Sequence, residues 1–171
     1  LMKKASVLLV LAVVVSSLAG APPAEAGARF GGGIHYLNTL GDIKDNSEFD
    51  ENSIGIMGSL LFTSQLLKLE AIAEYIPDYA GLDEALILPQ GYALLGDFIY
   101  GGVGIGTGYF DGEWMEDPFY ALRAGVDFYL GGLDLDVFAT YRFMTWNELE
   151  GLEEDDANLI TFGALIRFGS K

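Results

Sequence analysis

The sequence contains no cysteine and a single histidine, His35, among its 171 residues. Without cysteine there is no disulfide framework, no cysteine-based zinc site and no thiol catalysis. One histidine also excludes a histidine-rich metal site. Basic residues are few, because nine Lys and Arg stand against 25 Asp and Glu, which gives a formal net charge of −16. A chain this acidic lacks the basic surface that the phosphates of a nucleic acid require, so no nucleic-acid partner is expected.

The longest apolar run lies near the start of the sequence. Two lysines precede the apolar residues Ala5–Val15, and Ala24-Glu25-Ala26 follows the small-x-small rule for signal peptidase. This order predicts a secretory signal peptide over residues 1–26 and a mature domain over 27–171. The alternative is an N-terminal membrane anchor, but the run is shorter than the ~20 apolar residues that cross a bilayer.

The predicted mature domain shows the period-two alternation of β-strands and no helical periodicity. Segments of about ten residues are separated by breaks rich in Gly, Asp and Asn, and short turns alternate with long loops. This arrangement predicts an all-β fold, namely an eight-stranded antiparallel up-and-down transmembrane barrel. The predicted strands are Ala28–Asn38, Ser53–Thr63, Leu67–Ile76, Ala85–Leu95, Phe98–Phe110, Phe119–Leu130, Leu133–Trp146 and Asn158–Phe168. The predicted long loops are 39–52, 77–84, 111–118 and 147–157.

Alternate residues divide most predicted strands into an apolar face and a face that is small or charged. In the sixth strand, Leu122 and Val126 lie on one face, and Arg123 and Asp127 lie on the other. A soluble lipid-carrying barrel of the lipocalin type, the competing fold, would enclose its apolar face. The narrow lumen of an eight-stranded barrel suits small and charged residues, so the apolar faces are predicted to lie outward against lipid. Pro89 interrupts the fourth strand and predicts a bulge there.

Aromatic residues on the predicted outward faces avoid the strand centres. Rings at headgroup depth are typical of membrane barrels, whereas ordinary core aromatics would not be placed in this way. The sequence therefore predicts two aromatic girdles. The girdle near the long loops consists of Tyr36, Tyr75, Tyr120 and Phe143, and the girdle near the short turns consists of Phe30, Phe62, Phe128 and Phe168.

The predicted inward faces carry five basic and five acidic residues. An unpaired buried ion costs several kcal/mol, so a balanced set predicts a network of ion pairs that plugs the lumen. Depth along the strands predicts a cluster of Arg29 and Arg167 with two aspartates, and places Glu74 near Arg123 or Arg142. The alternative is a proton or ion path through the lumen. The ten predicted lumen residues are Arg29, Lys68, Glu70, Glu74, Arg123, Asp127, Asp134, Asp136, Arg142 and Arg167.

The last predicted strand carries the most specific motif, in which Thr161, Gly163, Ile166 and Phe168 supply a polar residue, a glycine, a hydrophobic residue and an aromatic residue. In this motif and in the glycine-rich segment Gly101–Gly106, the chain resembles the small eight-stranded outer-membrane barrels of Gram-negative bacteria, the OmpA-transmembrane, OmpX and OmpW-like group. The resemblance implies a monomer in the bacterial outer membrane, in contact with lipid and lipopolysaccharide. It also implies that the C-terminal motif is recognised by the barrel-assembly machinery. A phosphate-binding loop, the rival interpretation of the glycines, would need a lysine and a following helix.

Three functions are open for such a barrel. The favoured one is a structural, envelope or surface-interaction role without catalysis, cofactor or bound metal. Some barrels of this size look like lipid A acylases or deacylases, which use a His with a Ser and an acid. Here His35, Ser53 or Ser59, and Glu74 are the candidates, and they match no known motif. A passive route or carrier for small hydrophobic ligands is the third function, and the inward charges count against it.

Most of the acidic residues, 18 of the 25, fall in the predicted long loops at one end of the barrel. They are open to three interpretations: a solvated repulsive surface, a set of divalent-cation sites, or a docking surface for a basic partner. The densest groups are Asp45–Glu51 and Glu153–Asp156. Neither group has the spacing of an EF-hand.

Overall fold

The computed structural model describes residues 27–40, 52–77, 85–143 and 158–169. The predicted signal peptide and most of three predicted loops lie outside these residues. None of the described residues belongs to a helix long and apolar enough to cross a bilayer. The described strands are β1 (Gly27–Leu40), β2 (Asn52–Ser64), β3 (Leu67–Ile76), β4 (Leu86–Gly96), β5 (Ile99–Gly106), β6 (Tyr109–Phe110), β7 (Glu113–Trp114), β8 (Phe119–Tyr129), β9 (Leu133–Phe143) and β10 (Asn158–Gly169).

The eight long strands close into an antiparallel barrel. Strand β3 pairs with both β2 and β4, and β1 pairs with both β2 and β10, so that the ring has no free edge. A path drawn across the strands from Arg29, through each successive partner, returns to β1 at Thr39, ten residues further along. This stagger tilts the strands and leaves an interior just wide enough for side chains. The predicted fold class is confirmed.

Short turns close one end of the barrel, here called the turn end, and the long loops leave from the other, the loop end. Gly96 N donates to Leu66 O at 2.9 Å, and Asp127 N donates to Phe98 O at 2.8 Å. The turn at Gly131-Gly132 has φ angles of 63° and 102°. Glycine adopts this left-handed backbone at little cost, which explains the pair of glycines between β8 and β9.

The predicted loop 111–118 begins with a tight hairpin in place of irregular chain. Strands β6 and β7 pair with each other, and Asp111 and Gly112 form the two-residue turn between them, with φ angles of 47° and 82°. Positive φ at both positions defines the type I′ turn, which favours Asp-Gly. Tyr109 of β6 pairs with Ile87 of β4 in the register that β5 has already set. The hairpin therefore extends the wall of the barrel at its loop end.

Pro89 interrupts one side of β4 without a bulge, so the predicted bulge was wrong. Strand β4 keeps an unbroken register with β3 through Pro89. On the other side Pro89 has no N–H to donate, and regular pairing with β5 ends at Gln90 and Gly106. Thr107 N still donates to Pro89 O at 3.1 Å. The predicted strand Phe98–Phe110 is consequently split into β5 and β6.

The bounds Leu67–Ile76 are as predicted, and the other strand bounds differ from the predicted ones by at most two residues, apart from the strand predicted to end at Trp146. That strand, β9, is described as far as Phe143, and residues 144–146 lie outside the described part of the chain.

The apolar faces lie outward, as predicted. Phe30 and Ile99 are 64% and 69% exposed, whereas their inward-facing neighbours Arg29 and Tyr100 are 1% and 4% exposed. Exposed Ile, Leu, Val and Phe side chains recur on all eight long strands. An apolar exterior that encircles the molecule suits hydrocarbon and not water.

One predicted girdle residue is not exposed to lipid. Phe143 is 1% exposed, although it has the parity of an outward residue. Its ring centroid lies 5.9 Å from the centroids of both Tyr120 and Tyr141. These outward tyrosines pack against Phe143. Of the other positions, Tyr36, Tyr75, Phe30, Phe128 and Phe168 are exposed, as expected for the two girdles, and Phe62 and Tyr120 are partly exposed.

The interior also contains large apolar side chains, so the prediction of a small or charged lumen was wrong in part. Two buried clusters occupy different depths, as the register of the strands shows. The mid-barrel cluster comprises Met57, Ile72, Tyr92, Leu94, Tyr100, Ala121, Phe138 and Leu165. The loop-end cluster comprises Leu37, Ile76, Leu86, Leu88 and Phe119. Strand β4 has apolar residues on both faces, which is why its alternation gave no signal.

Inward glycines make room for the rings of this interior. Gly104 lies directly opposite Tyr92, and Gly163 lies directly opposite Phe138. A Cβ atom at either glycine would lie 2.5 or 2.4 Å, respectively, from the facing ring. Gly55 opposite His35 is arranged in the same way. Ring-over-glycine pairs thus let large side chains fit inside a narrow barrel.

Substitution of Gly33 by alanine tests the tightness of the closing seam between β1 and β10. A Cβ at Gly33 would lie 1.9 Å from Ala164 O, whereas a Cβ at Gly58 would meet nothing within 4 Å. We expect Gly33→Ala to lower the free energy of unfolding by about 1–3 kcal/mol or to prevent folding. The matched control, Gly58→Ala, should change it by less than about 0.5 kcal/mol. Urea unfolding followed by heat-dependent gel migration measures both, and equal stability of the two variants would contradict the described seam.

Candidate functional site: the charged lumen

All ten predicted lumen charges point inward and are buried, none being more than 7% exposed. They come from β1, β3, β8, β9 and β10, whose alternate residues face the interior. They form two groups. The turn-end network comprises Arg29, Lys68, Glu70, Arg123, Asp127, Asp134, Asp136 and Arg167. The loop-end polar layer contains Glu74 and Arg142, together with His35, Gln90 and Thr161.

Arg167 and Arg123 form the centre of the turn-end network. Nη2 of Arg167 lies 2.8 Å from an oxygen of Asp136 and also contacts Glu70, and its Nη1 lies 3.4 Å from Asp134. Arg123 lies 3.0 Å from both Glu70 and Asp136. Glu70 and Asp136 are therefore each held by two guanidinium groups. Charge-assisted contacts of this kind offset the cost of removing ions from water.

Arg29 and Lys68 connect this centre to the rim of the turn end. Arg29 Nη1 lies 2.6 Å from Asp134 Oδ2 and 3.7 Å from Asp127 Oδ2. Lys68 Nζ lies 2.6 Å from Asp127 Oδ2 and donates to Asp97 O at 2.6 Å. Four basic residues thus face four acidic residues in one connected and formally neutral network.

Uncharged residues that the charge pattern did not identify complete the network. Ser59 Oγ donates to Glu70 at 2.5 Å and accepts from Arg167 Nε at 2.9 Å. Tyr100 donates to Asp136 at 2.6 Å, and its ring lies 4.7 Å from Lys68 Nζ. The guanidinium carbon of Arg123 lies 3.6 Å from the Phe138 ring centroid. Inward parity on β2, β5 and β9 was the only sequence signal for these partners, and it does not distinguish a packing residue from a hydrogen-bonding one.

The loop-end polar layer lies between the mid-barrel and loop-end clusters. Arg142 Nη2 lies 2.5 Å from Glu74 Oε1, and His35 Nε2 lies 3.7 Å from Glu74 Oε2. Of the two candidate partners for Glu74, the structure thus brings Arg142 to it, whereas Arg123 belongs to the turn-end network. Tyr92 donates to Gln90 at 2.5 Å in the same region.

The described residues do not assemble the serine–histidine–acid chain that nucleophilic catalysis needs. Ser59 is hydrogen-bonded to Glu70 and Arg167, and Glu74 is paired with Arg142. Neither ring nitrogen of His35 has a hydrogen-bond partner among the residues that the structure describes. Within the described ranges, no group of three or more His, Asp and Glu side chains is arranged to hold a metal ion.

The residues of the C-terminal motif are divided between the two faces of β10. Ile166 and Phe168 point outward and are 45% and 50% exposed, whereas Thr161 is fully buried inside the barrel. Gly163 lies under the Phe138 ring. Phe168 pairs with Phe30 of β1 at the seam that closes the barrel. The last strand therefore presents its hydrophobic motif residues to the exterior at the point of closure.

Comparison with solved structures identifies this architecture. The crystal structure of neisserial surface protein A, NspA, matches with a TM-score of 0.59 and 12% sequence identity, over 82% of this chain and 96% of that one. The chain has the fold of the small eight-stranded outer-membrane β-barrels. This bears out the resemblance drawn from the last strand and the glycine-rich segment.

Two further structures match this barrel less closely. Ail, the attachment invasion locus protein of Yersinia pestis, was solved in complex with the heparin analogue sucrose octasulfate. It matches with a TM-score of 0.49 and 14% identity, over 85% of this chain and 99% of that one. A de novo designed transmembrane β-barrel matches with a TM-score of 0.48 and 13% identity, over 84% and 95% of the two chains. By sequence, no protein family and no curated protein matches the chain.

Neutralising one carboxylate of the turn-end network should destabilise this barrel. Glu70→Gln keeps the shape of the side chain but leaves the guanidinium groups of Arg123 and Arg167 without one anionic partner. Breaking a buried pair in this way typically costs about 3–5 kcal/mol of unfolding free energy. The same change at Glu113, which is exposed on β7, is the matched control and should cost less than about 0.5 kcal/mol. Urea titration of both variants in lipid vesicles measures the difference, and equal midpoints would show that the network does not stabilise the fold.

Proposed function

We propose that the chain is an integral protein of the bacterial outer membrane, exported through the signal peptide 1–26, with a closed lumen and a non-catalytic role at the cell surface. The observation that carries the proposal is the inverted distribution of side chains. Apolar residues cover the outside on every long strand, and the charged residues of the strands are enclosed. In water this arrangement would expose a continuous apolar belt, whereas in a bilayer both faces are satisfied.

The contents of the lumen support a structural role over transport. The formally neutral turn-end network lies inside the barrel near the short turns, and side chains of the mid-barrel cluster pack against it. Ion conduction needs a continuous water-filled path, and these buried side chains occupy the narrow lumen. A hydrophobic ligand would have to cross the turn-end network, where every group is charged or hydrogen-bonded. The ion pairs therefore serve to hold the wall together.

A closed lumen leaves the loop end as the surface where this protein meets partners. In membrane barrels the short turns face the periplasm and the long loops face outward. At the loop end, the hairpin of β6 and β7 presents Trp114, which is 54% exposed and lies 5.2 Å from the Tyr109 ring. Asp111 and Glu113 beside it are also exposed, and residues 107–118 contain no Lys or Arg.

An aromatic pair surrounded by carboxylates favours a cationic partner. Ammonium and guanidinium groups bind to the faces of Trp and Tyr, and neighbouring carboxylates strengthen the attraction. The proposed partner is a basic protein segment outside the cell. Divalent cations bound by the acidic loops are the second candidate, since carboxylates are their preferred ligands. Lipid contacts are assigned to the aromatic girdles and the apolar exterior, and recognition by the assembly machinery to Thr161, Gly163, Ile166 and Phe168.

Reconstitution tests membrane integration and closure together. The chain refolded into lipid vesicles should float with them, resist extraction by alkaline carbonate and migrate differently on gels before and after heating. In planar bilayers it should give no stepwise conductance, because buried side chains occupy the narrow lumen. A monodisperse protein in buffer without detergent would contradict membrane integration, and regular conductance steps would contradict the closed lumen.

Binding of a decalysine peptide to the barrel in nanodiscs tests the hairpin surface. The double variant Trp114→Ala/Glu113→Gln removes one ring and one charge, so we expect the dissociation constant to rise roughly three- to tenfold, with binding weakened by salt. The matched control is Phe98→Ala, which removes a 52% exposed ring at the turn end. Equal affinities of the two variants would exclude the hairpin as the docking surface.

A further inference from the structure

The loop-end polar layer contains seven buried polar atoms that have no hydrogen-bond partner among the described residues. These atoms are both ring nitrogens of His35, Oε2 of Glu74, Nε2 of Gln90, Nε and Nη1 of Arg142, and Oγ1 of Thr161. Their residues are between 0% and 7% exposed. A buried polar atom without a hydrogen bond costs about 1–3 kcal/mol. The atoms of the layer therefore require partners other than the described residues.

The register brings these residues to one depth in the barrel. His35 is paired with Gly163 of β10, two residues from Thr161, and with Gly55 of β2. The 2.5 Å contact of Arg142 with Glu74, and the 3.7 Å separation of His35 from the other oxygen of Glu74, connect β9, β3 and β1 across the lumen. The unpartnered atoms belong to one local group.

Apolar side chains enclose this group on both sides along the barrel axis. Towards the turn end lie Met57, Ile72 and Phe138 of the mid-barrel cluster. Towards the loop end lie Leu37, Ile76, Leu88 and Phe119 of the loop-end cluster. The rings of Tyr92 and Phe138 lie between the layer and Arg123 of the turn-end network, and the hydroxyl of Tyr92 donates to Gln90 of the layer.

We propose that the loop-end polar layer is an internal hydration site, in which ordered water molecules bridge His35, Glu74, Gln90, Arg142 and Thr161. The atoms offer both donors and acceptors, as water requires, and buried waters typically make about three hydrogen bonds to such groups. The 3.7 Å separation between His35 Nε2 and Glu74 Oε2 is too long for a direct hydrogen bond, so each atom is left to bind water.

The charges of the layer favour water over an ion. Arg142 and Glu74 neutralise each other, so no net charge attracts an anion or a cation. A metal ion would need at least three suitable ligands, and the described part of the chain has no such group.

Replacement of Thr161 by valine distinguishes a hydrated layer from a dry one, because the two cases predict shifts of opposite direction in the urea midpoint of unfolding. Valine matches threonine in shape but lacks Oγ1. If water binds Oγ1, Thr161→Val removes a hydrogen bond, and the urea midpoint of unfolding in vesicles should fall. If the layer is dry, the same change removes an unsatisfied polar atom, and the midpoint should stay or rise. An unchanged or higher midpoint would overturn the proposal.

A second measurement observes the layer directly, because His35 gives the only histidine signal of the chain. With ring-labelled histidine in detergent micelles, rotating-frame NMR should show a dipolar cross-peak between an imidazole proton and water, distinct from chemical exchange. Thr161→Val should shift the imidazole signals, whereas the control Thr63→Val, an inward position at the turn end bonded to Gly27 O, should not. An imidazole that shows cross-peaks only to protein protons would refute bound water beside His35.

Discussion

The mutual neutralisation of four basic and four acidic side chains inside the turn end is the interaction on which the barrel depends. An apolar exterior leaves the inward faces as the only place for charges at membrane depth, and each enclosed ion would cost several kcal/mol without a partner. Arg167 and Arg123 meet this requirement by sharing Glu70 and Asp136. Because the partners come from β3, β8, β9 and β10, the contacts also fix the relative depth of strands that are far apart in sequence.

The narrow lumen imposes the second constraint, because it limits the size of the side chains inside. Inward-facing glycines provide the space that the large side chains need. An eight-stranded barrel has room for few large side chains at any depth. The structure fits Tyr92 and Phe138 inside by placing Gly104 and Gly163 directly opposite them. These rings in turn shield Arg123, which lies over the Phe138 face. The positions of the glycines, the packing of the rings and the burial of the charges therefore depend on one another. A change in any of them affects the other two.

Much of this architecture was predictable from alternation, and the rest depends on register. Period-two patterning located the eight long strands and assigned Arg123 and Asp127 to the inward face, because lipid imposes a strict difference between the two faces. The Asp111-Gly112 turn was also visible in the sequence, as a dipeptide that favours a type I′ hairpin. Which arginine pairs with Glu74 was not predictable from the sequence. The depth of each side chain in the barrel depends on the ten-residue stagger, which is known only once the strands are paired into a closed ring. Which apolar residues of β4 face the lumen could not be predicted from alternation, because both faces of this strand are apolar.

Closure of the lumen has a consequence for the distribution of charge over the whole molecule. The ten enclosed charges cancel, so the formal charge of −16 is carried almost entirely outside the lumen. In the sequence most of that charge belongs to the loops, which a bilayer would hold on one side. At physiological ionic strength the field of exposed carboxylates is screened over about 8 Å, so it acts only on groups that come close to them. The balanced charges of the lumen add nothing to that field.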